Sequence, residues 1–569
     1  MENFYNDNKA LHFHLFNPAM ERIVNIKEKN FEEKDKYDYA PQDYEDAMDN
    51  YEKILEIVGE IAGEIIAPNA ESVDLEGPRI VNNEVVYAKG TAENIKALAD
   101  ANLMGMSIPR KYEGLNFPIL PFVMSNEIVA RADASFSNIW GLQDCAETLN
   151  EFASEEIKQE FLPRFNVNGE TASMDLTEPD AGSDLQAVRL KATYSEKDKC
   201  WYLNGVKRFI TNGDAHIALV MARSEEGTTD ARGISLFVYD RKDKKVTVRR
   251  LENKLGIKGS PTCELVFKNA PAKLVGERRM GLLKYVLSLM NAARIGVSAQ
   301  AIGISEAAYR EAVSYAKDRE QFGKAIIEFP AVYEMLAMMK ARIDASRTML
   351  YETSRYVDIY KGLAYKAKEV TLTPEERNEM KHFQKWSDVM TPITKLFSTE
   401  YCNSVTYDAI QVLGGSGYMK DYPVERYYRD ARITNIYEGT SQLQVIAAIK
   451  GVTTGIFEAW MEEKSKVKVK QEYQYLLDII RKMTNLYVRT VHKIKEENNT
   501  ELLDFHARRL VEMAGRIIAS YLLVHDADKD EMFAKSADIY VRYARSQNIA
   551  AAHYSTHTDQ EDLGSYINY

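Results

Sequence analysis

The chain has 569 residues, of which 45% are hydrophobic and 28% charged, and its formal net charge is -12. This length allows several domains with separate cores, and the composition is typical of a globular protein. The acidic balance argues against nucleic acid as a partner. The 4 cysteines form no CxxC pair and the 9 histidines show no ligand spacing, so we expect neither a metal site nor a disulfide framework.

The first residues lack the basic and apolar segments of a secretory signal, and no apolar run reaches the roughly 18 residues that a transmembrane helix needs. These features predict a cytoplasmic protein without a transmembrane segment. Residues 1–45 are acidic and aromatic. We interpret them as an N-terminal extension that either packs on another part of the chain or is partly mobile.

Residues 46–170 have the apolar spacing of helices, which Pro68 is expected to interrupt. Asn150 is a candidate cap for a later helix in this region. Within residues 171–283 the pattern changes to short β-like runs. The dipeptide Asn204-Gly205, between two such runs, is the strongest short signal for a tight hairpin turn. A small antiparallel domain is therefore predicted between two helical regions.

Helical spacing returns at residues 284–452 and begins with a long segment, Tyr285–Lys317, that is rich in small residues. Small residues let helices approach closely, so this helix is expected at the centre of a four-helix bundle. Further helices are predicted at Phe329–Tyr360 and Trp386–Leu413. Between them, the loop region Gly362–Lys385 contains a proline-initiated helix start at 373–376. Residues 453–569 have helical stripes of their own and form a predicted C-terminal extension.

Glu438 lies in a short segment between a run expected to be irregular, Tyr422–Arg432, and an apolar helical run. Gly439 permits a sharp turn, and Thr440 and Ser441 are residue types that cap helices. A carboxylate on a turn at a helix entrance can point into a cleft. We therefore take Glu438 as a candidate general base.

Four motifs occur in order along the chain. They are MDLTEPDAGSD at 174–184, FITNG at 209–213, KDREQFG at 317–323, and QVLGGSG at 411–417 followed by YEGT at 437–440. The glycine-rich part of the last one is followed by Lys420 where a dinucleotide fingerprint needs glycine, which disfavours a Rossmann site. Together, their order and spacing resemble the acyl-CoA dehydrogenase family over about residues 50–450.

The resemblance implies an FAD cofactor and a mainly α fold with a central antiparallel, β-barrel-like domain. Thr177 and Thr211 match threonines at the flavin's pyrimidine end and N5, Phe209 matches the aromatic residue that screens the ring, and Ser183 matches a serine near the pyrophosphate and the substrate. The positions matched to the adenosine half of a neighbouring subunit's FAD are Arg319, Gln321, Phe322, Gln411 and Gly415. Thr440 and Gln442 match residues that also touch the cofactor. The implied substrate contacts are Ser183, Asn291, Arg294 and Gly439.

The resemblance also implies a reaction. Glu438 would remove the α-proton of an acyl-CoA thioester while the β-hydride passes to flavin N5, which gives a trans-2-enoyl-CoA. Burial is expected to raise the pKa of this carboxyl. Some branches place the base one residue before the matched arginine. That residue is Ala293 here, so the chain is expected to favour straight-chain acyl groups.

The implied electron acceptor is an electron-transfer flavoprotein. The segment after residue 452 is similar to the added domain of longer family branches, which predicts a homodimer, with a tetramer as the alternative. Two other functions stay open. One is an acyl-CoA oxidase that passes electrons to oxygen. The other is a non-catalytic assembly protein that keeps the fold and uses residues 453–569 for docking.

Overall fold

A computed structural model describes residues 2–567. The chain divides into two compact units, Met1–Gly303 with Lys361–Thr373, and Ile304–Tyr360 with Pro374–Tyr569. This division is coarser than the five predicted domains (1–45, 46–170, 171–283, 284–452 and 453–569), whose boundaries remain a prediction.

Helices of the first unit come before its sheet. Their bounds are α1 (Lys9–Leu15), α2 (Ala19–Lys27), α3 (Tyr44–Ile61), α4 (Ala67–Glu76), α5 (Lys89–Asp100), α6 (Ile119–Ala132), α7 (Ala134–Trp140), α8 (Asp144–Phe152) and α9 (Glu155–Asn168). The first two helices pack on α6 and α3, respectively. The buried Arg110 guanidinium binds the Glu28 carboxylate at 2.7 Å. The N-terminal extension therefore lies on the helical region of its own unit.

Two predicted helix boundaries in this region were wrong. Pro68 ends no helix, because a π-helical turn at Ala62–Ile66 joins α3 to α4 and Pro68 falls in the first turn of α4. A missing N–H is tolerated there more easily than in a helix interior. Asn150 lies inside α8, and the side chain of Ser154 caps α9 by accepting a hydrogen bond from the backbone N–H of Ile157.

The main sheet has seven strands in the order β3-β6-β4-β5-β9-β7, with β8 paired to β9 and a further pairing of β6 with β7. That last pairing closes the sheet. Most neighbours are antiparallel, but β3 and β4 each pair with β6 in parallel. A separate hairpin comes first, so the strands are β1 (Arg79–Val81), β2 (Glu84–Val86), β3 (Ala172–Asp175), β4 (Lys191–Ser195), β5 (Cys200–Thr211), β6 (Ile217–Arg223), β7 (Ile234–Asp240), β8 (Val246–Leu251) and β9 (Thr262–Val275).

The predicted hairpin at Asn204-Gly205 was wrong, since both residues lie within the continuous strand β5. The pairing of β5 with β9 shifts register between Leu203 and Gly205. A Cβ at Gly205 would lie 3.0 Å from the Cα of Leu190. The glycine therefore serves a β-bulge and a close approach of two backbones rather than a turn.

Strand β6 separates two cores, because successive side chains of a strand point to opposite faces. Alternate residues from Ile217 to Met221 pack with a cluster that includes Phe161. The intervening residues, from Ala218 to Ala222, pack into the second cluster of the sheet. The sheet is thus apolar on both faces along this strand.

The second unit is helical apart from a short hairpin. Its elements, of which the first begins and the fourth ends in the other unit, are α10 (Leu287–Asp318), β10 (Glu320–Gln321), β11 (Lys324–Ala325), α11 (Pro330–Glu369), α12 (Pro374–Leu413), α13 (Gly415–Tyr418), α14 (Val424–Thr434), α15 (Ser441–Thr453), α16 (Ile456–Ser465), α17 (Gln474–Glu496), α18 (Thr500–Lys529), α19 (Ala534–Thr556) and α20 (Gln560–Leu563).

Two expectations for the helices change and one is confirmed. The predicted loop 362–385 shrinks to Val370–Thr373, because Gly362 lies inside α11, where a Cβ would be 2.5 Å from Cγ2 of Ile26. The expected start of a helix at Pro374 is confirmed. The run expected to be irregular is largely the helix α14, which the i,i+4 ion pair of Arg429 and Glu425 supports.

Helices of the C-terminal extension share a core with α11 and α12. Trp460 Nε1 donates to Tyr356 Oη at 3.0 Å, and Thr348 Oγ1 donates to the buried Asp526 at 2.6 Å. A Cβ at Gly515 would lie 2.3 Å from the ring of Phe397, so α18 approaches α12 closely.

Among residues 2–567, no helix is both long enough and apolar enough to cross a bilayer. The same residues contain no group of three or more His, Cys, Asp or Glu side chains arranged to hold a metal ion.

Candidate functional site

The loop that follows β3 carries Thr177, and three bonds hold it against β5. The backbone N–H of Arg208 donates to the carbonyl of Thr177 at 2.9 Å. The ammonium of Lys207 donates to the carbonyl of Leu176 at 2.8 Å and to Glu178 Oε1 at 2.9 Å. The residues before and after Thr177 are therefore tied to one lysine.

The ion pair between Lys207 and Glu178 is buried, with the lysine side chain 0% exposed and the glutamate 8%. Burial lowers the pKa of Lys207, and the charge of Glu178 opposes that effect. Glu178 also accepts hydrogen bonds from the backbone N–H groups of Arg189 and Leu190 at 2.7 and 3.0 Å. A buried ion pair needs such additional bonds to offset desolvation.

Phe209 and Thr211 lie at the end of β5, where a second register shift separates Lys207 from Ile210. Phe209 has a φ of +61° and its side chain is 52% exposed, under the guanidinium of Arg208. Thr177 and Thr211 are half-buried, and neither hydroxyl bonds to another residue within 2–567. These two hydroxyls are free to donate to a bound ring, while Ser183 is exposed.

Two residues of this region escaped the sequence analysis. Asn212 has a φ of +52° and donates through Nδ2 to the carbonyl of Ala172 at 3.2 Å, which fixes the segment after Thr211. Asp175 is fully buried and accepts from Ser173 Oγ at 2.8 Å, and burial raises its pKa to about 6. Both follow from tertiary packing, and the motif spacing gave no signal for their roles.

The predicted substrate residues Asn291 and Arg294 are half-buried one helical turn apart on α10. Arg294 Nη1 donates to Asn291 Oδ1 at 2.9 Å, so the two side chains form one polar group. Ala293, which the resemblance matches to the base of some family branches, is buried.

Arg319, Gln321 and Phe322 lie in the short hairpin β10–β11 of the second unit, and all are exposed. Phe322, at the tip, has a φ of +52° and is 96% exposed. The guanidinium of Arg319 has no ion-pair partner within the described range. The hairpin thus presents an apolar ring and a cation outward.

Gln411 and Gly415 are also exposed, at the junction of α12 and α13, where Gly414 has a φ of +61°. The hydroxyl of Tyr315 donates to Ser416 Oγ at 3.3 Å. Because Tyr315 lies in the last turns of α10, this contact links the glycine-rich loop to the helix that leads into the Arg319 hairpin.

Glu438 is half-buried on the turn between α14 and α15 and has a φ of +53°, followed by Gly439 at +90°. Such a φ is unfavourable for a residue with a Cβ and persists only where the surroundings impose it. The ammonium of Lys395 donates to the carbonyls of Tyr437 and Gly439 at 2.7 and 2.6 Å. The turn was predicted from the sequence, whereas the role of Lys395 was not.

Thr440 is the N-cap of α15, and its hydroxyl accepts from the backbone N–H of Leu443 at 3.4 Å. The expected cap is therefore confirmed for Thr440. Ser441 instead bonds to Glu400 Oε1, which also accepts from Asn435 at 3.2 Å. Gln442 is exposed.

The predicted site residues thus fall into two groups, each organised within its own unit. The four family models of this fold match the chain in the same order: acyl-CoA dehydrogenase N-terminal domain at residues 48–168, middle domain at 173–270, C-terminal domain at 283–452, and acyl-CoA dehydrogenase C terminal at 453–563. This chain belongs to the acyl-CoA dehydrogenase family. The family consists of oxidoreductases, and the resemblance read from the motifs is confirmed.

Individual acyl-CoA dehydrogenases support the assignment. "Probable acyl-CoA dehydrogenase FadE25" of Mycobacterium tuberculosis is 34% identical over 400 residues, which are 70% of this chain and 93% of that protein. The solved butyryl-CoA dehydrogenase of Megasphaera elsdenii is 30% identical, with a TM-score of 0.61 over 71% of this chain and 98% of that one.

A longer structural match includes the C-terminal extension. The acyl-CoA dehydrogenase of Bacillus anthracis, solved in complex with FAD, is 21% identical, with a TM-score of 0.75 over 91% of this chain and 90% of that one. This match confirms the predicted fold, mainly helical with a central sheet domain and a helical extension.

Proposed function

We propose that this chain is an FAD-dependent acyl-CoA dehydrogenase that converts an acyl-CoA thioester to the trans-2-enoyl-CoA, with Glu438 as the base. The observation that carries the proposal is the backbone of Glu438. Glu438 has a φ of +53°, and two hydrogen bonds from Lys395 to its neighbours' carbonyls hold the backbone from which its side chain projects. Strain of this kind concentrates at functional sites.

The residues of the first unit fit FAD. Thr177 and Thr211 offer hydroxyl donors that have no other partner among residues 2–567, and Phe209 adds an exposed aromatic ring. Donors suit the pyrimidine edge of a flavin, where negative charge develops on reduction. When bound, FAD supplies the acceptor for the hydride that leaves the substrate's β-carbon. The complex of the Bacillus anthracis protein with FAD supports this choice of cofactor.

Arg319, Gln321 and Phe322 are proposed to contact the FAD of a neighbouring subunit, together with Gln411 and Gly415. An exposed guanidinium that forms no ion pair within the described part of the chain suits a pyrophosphate, which it can bind through two parallel N–H groups. Thr440 and Gln442 complete the proposed cofactor contacts. A shared site requires an oligomer, and we propose a homodimer.

Proton transfer needs a base within reach of the thioester's α-carbon. The Glu438 carboxylate takes the α-proton and the β-carbon loses a hydride. The electron pair of the broken bond between the α-carbon and its proton then forms the carbon–carbon double bond. Asn291, Arg294, Ser183 and Gly439 are proposed to position the substrate. The proposed substrates are straight-chain acyl-CoA thioesters, and the proposed acceptor of the electrons is an electron-transfer flavoprotein.

The test is the variant Glu438→Gln. We expect a folded, yellow protein whose flavin absorbance falls about 10²–10⁴-fold more slowly when acyl-CoA is added without oxygen, because a positioned base contributes about that factor. The matched control is Glu425→Gln, which removes a carboxylate from the adjacent helix α14 without touching the turn. Reduction of Glu438→Gln at the control's rate would place the base elsewhere.

A further inference from the structure

Lys395 lies on α12 and its side chain is fully buried. A lysine ammonium has three N–H donors and seldom enters a core without charge or hydrogen-bond partners. Two of the acceptors here are the carbonyls of Tyr437 and Gly439, the residues immediately before and after Glu438. One side chain therefore grips both ends of the turn that carries the proposed base.

A second buried side chain acts on the same turn. Gln444, on α15, donates through Nε2 to the carbonyl of Glu438 at 3.3 Å and to that of Gly439 at 2.8 Å. Three consecutive carbonyls thus accept hydrogen bonds from Lys395 and Gln444. Both donor side chains are 0% exposed, so the turn is held from its buried side.

The backbone at Glu438 explains why such a grip is needed. With a φ of +53°, this residue occupies a region that side chains with a Cβ rarely adopt. The conformation persists only if surrounding bonds oppose its relaxation. Hydrogen bonds from an ionised donor are stronger than those from a neutral one, which makes a lysine suited to this position.

We propose that Lys395 is a positioning residue for the proton transfer, which it serves by holding the Glu438 turn in its strained conformation. This inference rests on the proposed function, in which Glu438 is the base. Lys395 is proposed to act through the turn and to contact neither substrate nor cofactor. Its loss lets the turn relax and moves the carboxylate away from the α-carbon.

The experiment measures exchange of the α-protons of 3,3-dimethylbutanoyl-CoA with D₂O on the FAD-loaded enzyme, followed by mass spectrometry. This thioester has no β-hydrogen, so its exchange reports proton transfer alone. In Lys395→Met we expect the exchange rate at saturation to fall about 100-fold, the typical cost of misplacing a reacting group by about 1 Å. The half-saturating concentration of the thioester should change less than about threefold, since the contacts that bind the substrate are not altered.

Two variants separate positioning from general stability. Thr399→Val removes a buried hydroxyl that donates to the Lys395 carbonyl at 2.8 Å on the same helix, and it should exchange at the wild-type rate. Lys395→Arg keeps a cationic donor and should recover most of the lost rate. Exchange in Lys395→Met equal to that in Thr399→Val would overturn the proposal.

Should Lys395→Met fail to fold, Gln444→Met carries the test, because it removes the second donor to the Gly439 carbonyl. Its saturated rate is expected to fall about 10-fold with little change in half-saturation, and an unchanged rate would again count against a held turn. Glu438→Gln separates failure of the proposed function from failure of the role of Lys395. If Glu438→Gln exchanges the α-protons at the wild-type rate, Glu438 is not the base. If Glu438→Gln loses exchange while Lys395→Met and Gln444→Met keep the full rate, only the role of Lys395 fails.

Discussion

Two buried lysines, Lys207 in the first unit and Lys395 in the second, hold loops that carry predicted site residues, but they do so in different surroundings. Lys207 forms an ion pair with Glu178 and also binds the Leu176 carbonyl beside Thr177. Lys395 binds the main-chain carbonyls of Tyr437 and Gly439 on both sides of Glu438. The Thr177 loop is therefore held largely by an ion pair, whereas the Glu438 turn is held by an ammonium group hydrogen-bonded to main-chain carbonyls.

The backbone of the held residue differs as well. Neither Thr177 nor its neighbours Leu176 and Glu178 have a positive φ, whereas Glu438 does. The Lys207 bonds therefore hold a loop in an ordinary conformation, and their loss is expected mainly to lower stability. The Lys395 bonds hold a strained turn, so their loss is expected mainly to lower the rate of proton transfer.

The largest expected effect is on the first loop. Lys207→Met should lower the free energy of unfolding by about 3–5 kcal/mol, because it leaves Glu178 as a buried charge without its partner. Urea denaturation of the FAD-free protein, followed by circular dichroism, measures this loss. The double variant Lys207→Met/Glu178→Gln should regain part of it. Equal losses in Lys207→Met and Lys395→Met would erase the distinction between the two lysines.

A second buried ionisable side chain of the first unit, Asp175, extends the comparison. Burial raises the pKa of Asp175 to about 6, so folding takes up a proton between about pH 4 and pH 6. The stability contributed by this group is full below about pH 4 and is lost as the pH rises through 6. Asp175→Asn, which keeps an acceptor for Ser173, should therefore gain about 2–3 kcal/mol over the wild type between pH 4 and pH 7.5.

Urea unfolding at both pH values measures the Asp175 effect. Asp180→Asn is the control, because it removes an exposed carboxylate from the same motif and should leave the pH dependence unchanged. A wild-type protein whose stability rises steadily from pH 4 to pH 7.5, in parallel with Asp175→Asn, would contradict a raised pKa at Asp175.

The smallest expected effect concerns Thr177, on the loop that Lys207 holds. Thr177→Val should weaken FAD binding about fivefold, since a neutral hydrogen bond contributes about 1 kcal/mol. It should leave the stability of the FAD-free protein nearly unchanged, because the hydroxyl has no partner in the described part of the chain. Fluorescence titration with FAD measures the first quantity. Thr177→Ser, which keeps the hydroxyl, is the matched control.

The order of the elements and the turn at Glu438 could be read from the sequence because their signals are local. Periodicity distinguishes helix from strand within a few residues, and Gly439 with Thr440 marks a turn and a cap regardless of what surrounds them. The four motifs also indicated a function, because the residues of each motif lie close together in the sequence.

The errors share one physical cause, which is that a residue type has more than one use. Gly205 was taken as a turn signal and Gly362 was placed in a loop, yet each provides room for close packing, against Leu190 and Ile26. Pro68 was taken as a helix break, and a π-helical turn accommodates it. Only tertiary packing decides among these uses.

The two lysines were missed for a related reason. A lysine is usually exposed, and nothing near Lys207 or Lys395 in the sequence marks it as buried. The partners of Lys395 follow it only after α13 and α14 have intervened. Residues that hold a loop from a distance therefore become visible only when the fold is known.

The core that the extension shares with α11 and α12 limits how far the protein can be shortened. A gene truncated after α15 would encode a bundle whose Phe397 ring, which Gly515 now contacts, becomes solvent-facing, and whose Thr348 hydroxyl loses Asp526. Shortening the protein would thus leave side chains of α11 and α12 without the contacts that α18 now provides. The last helices are part of the interior of the second unit, so a stable shorter chain would need new residues at these positions.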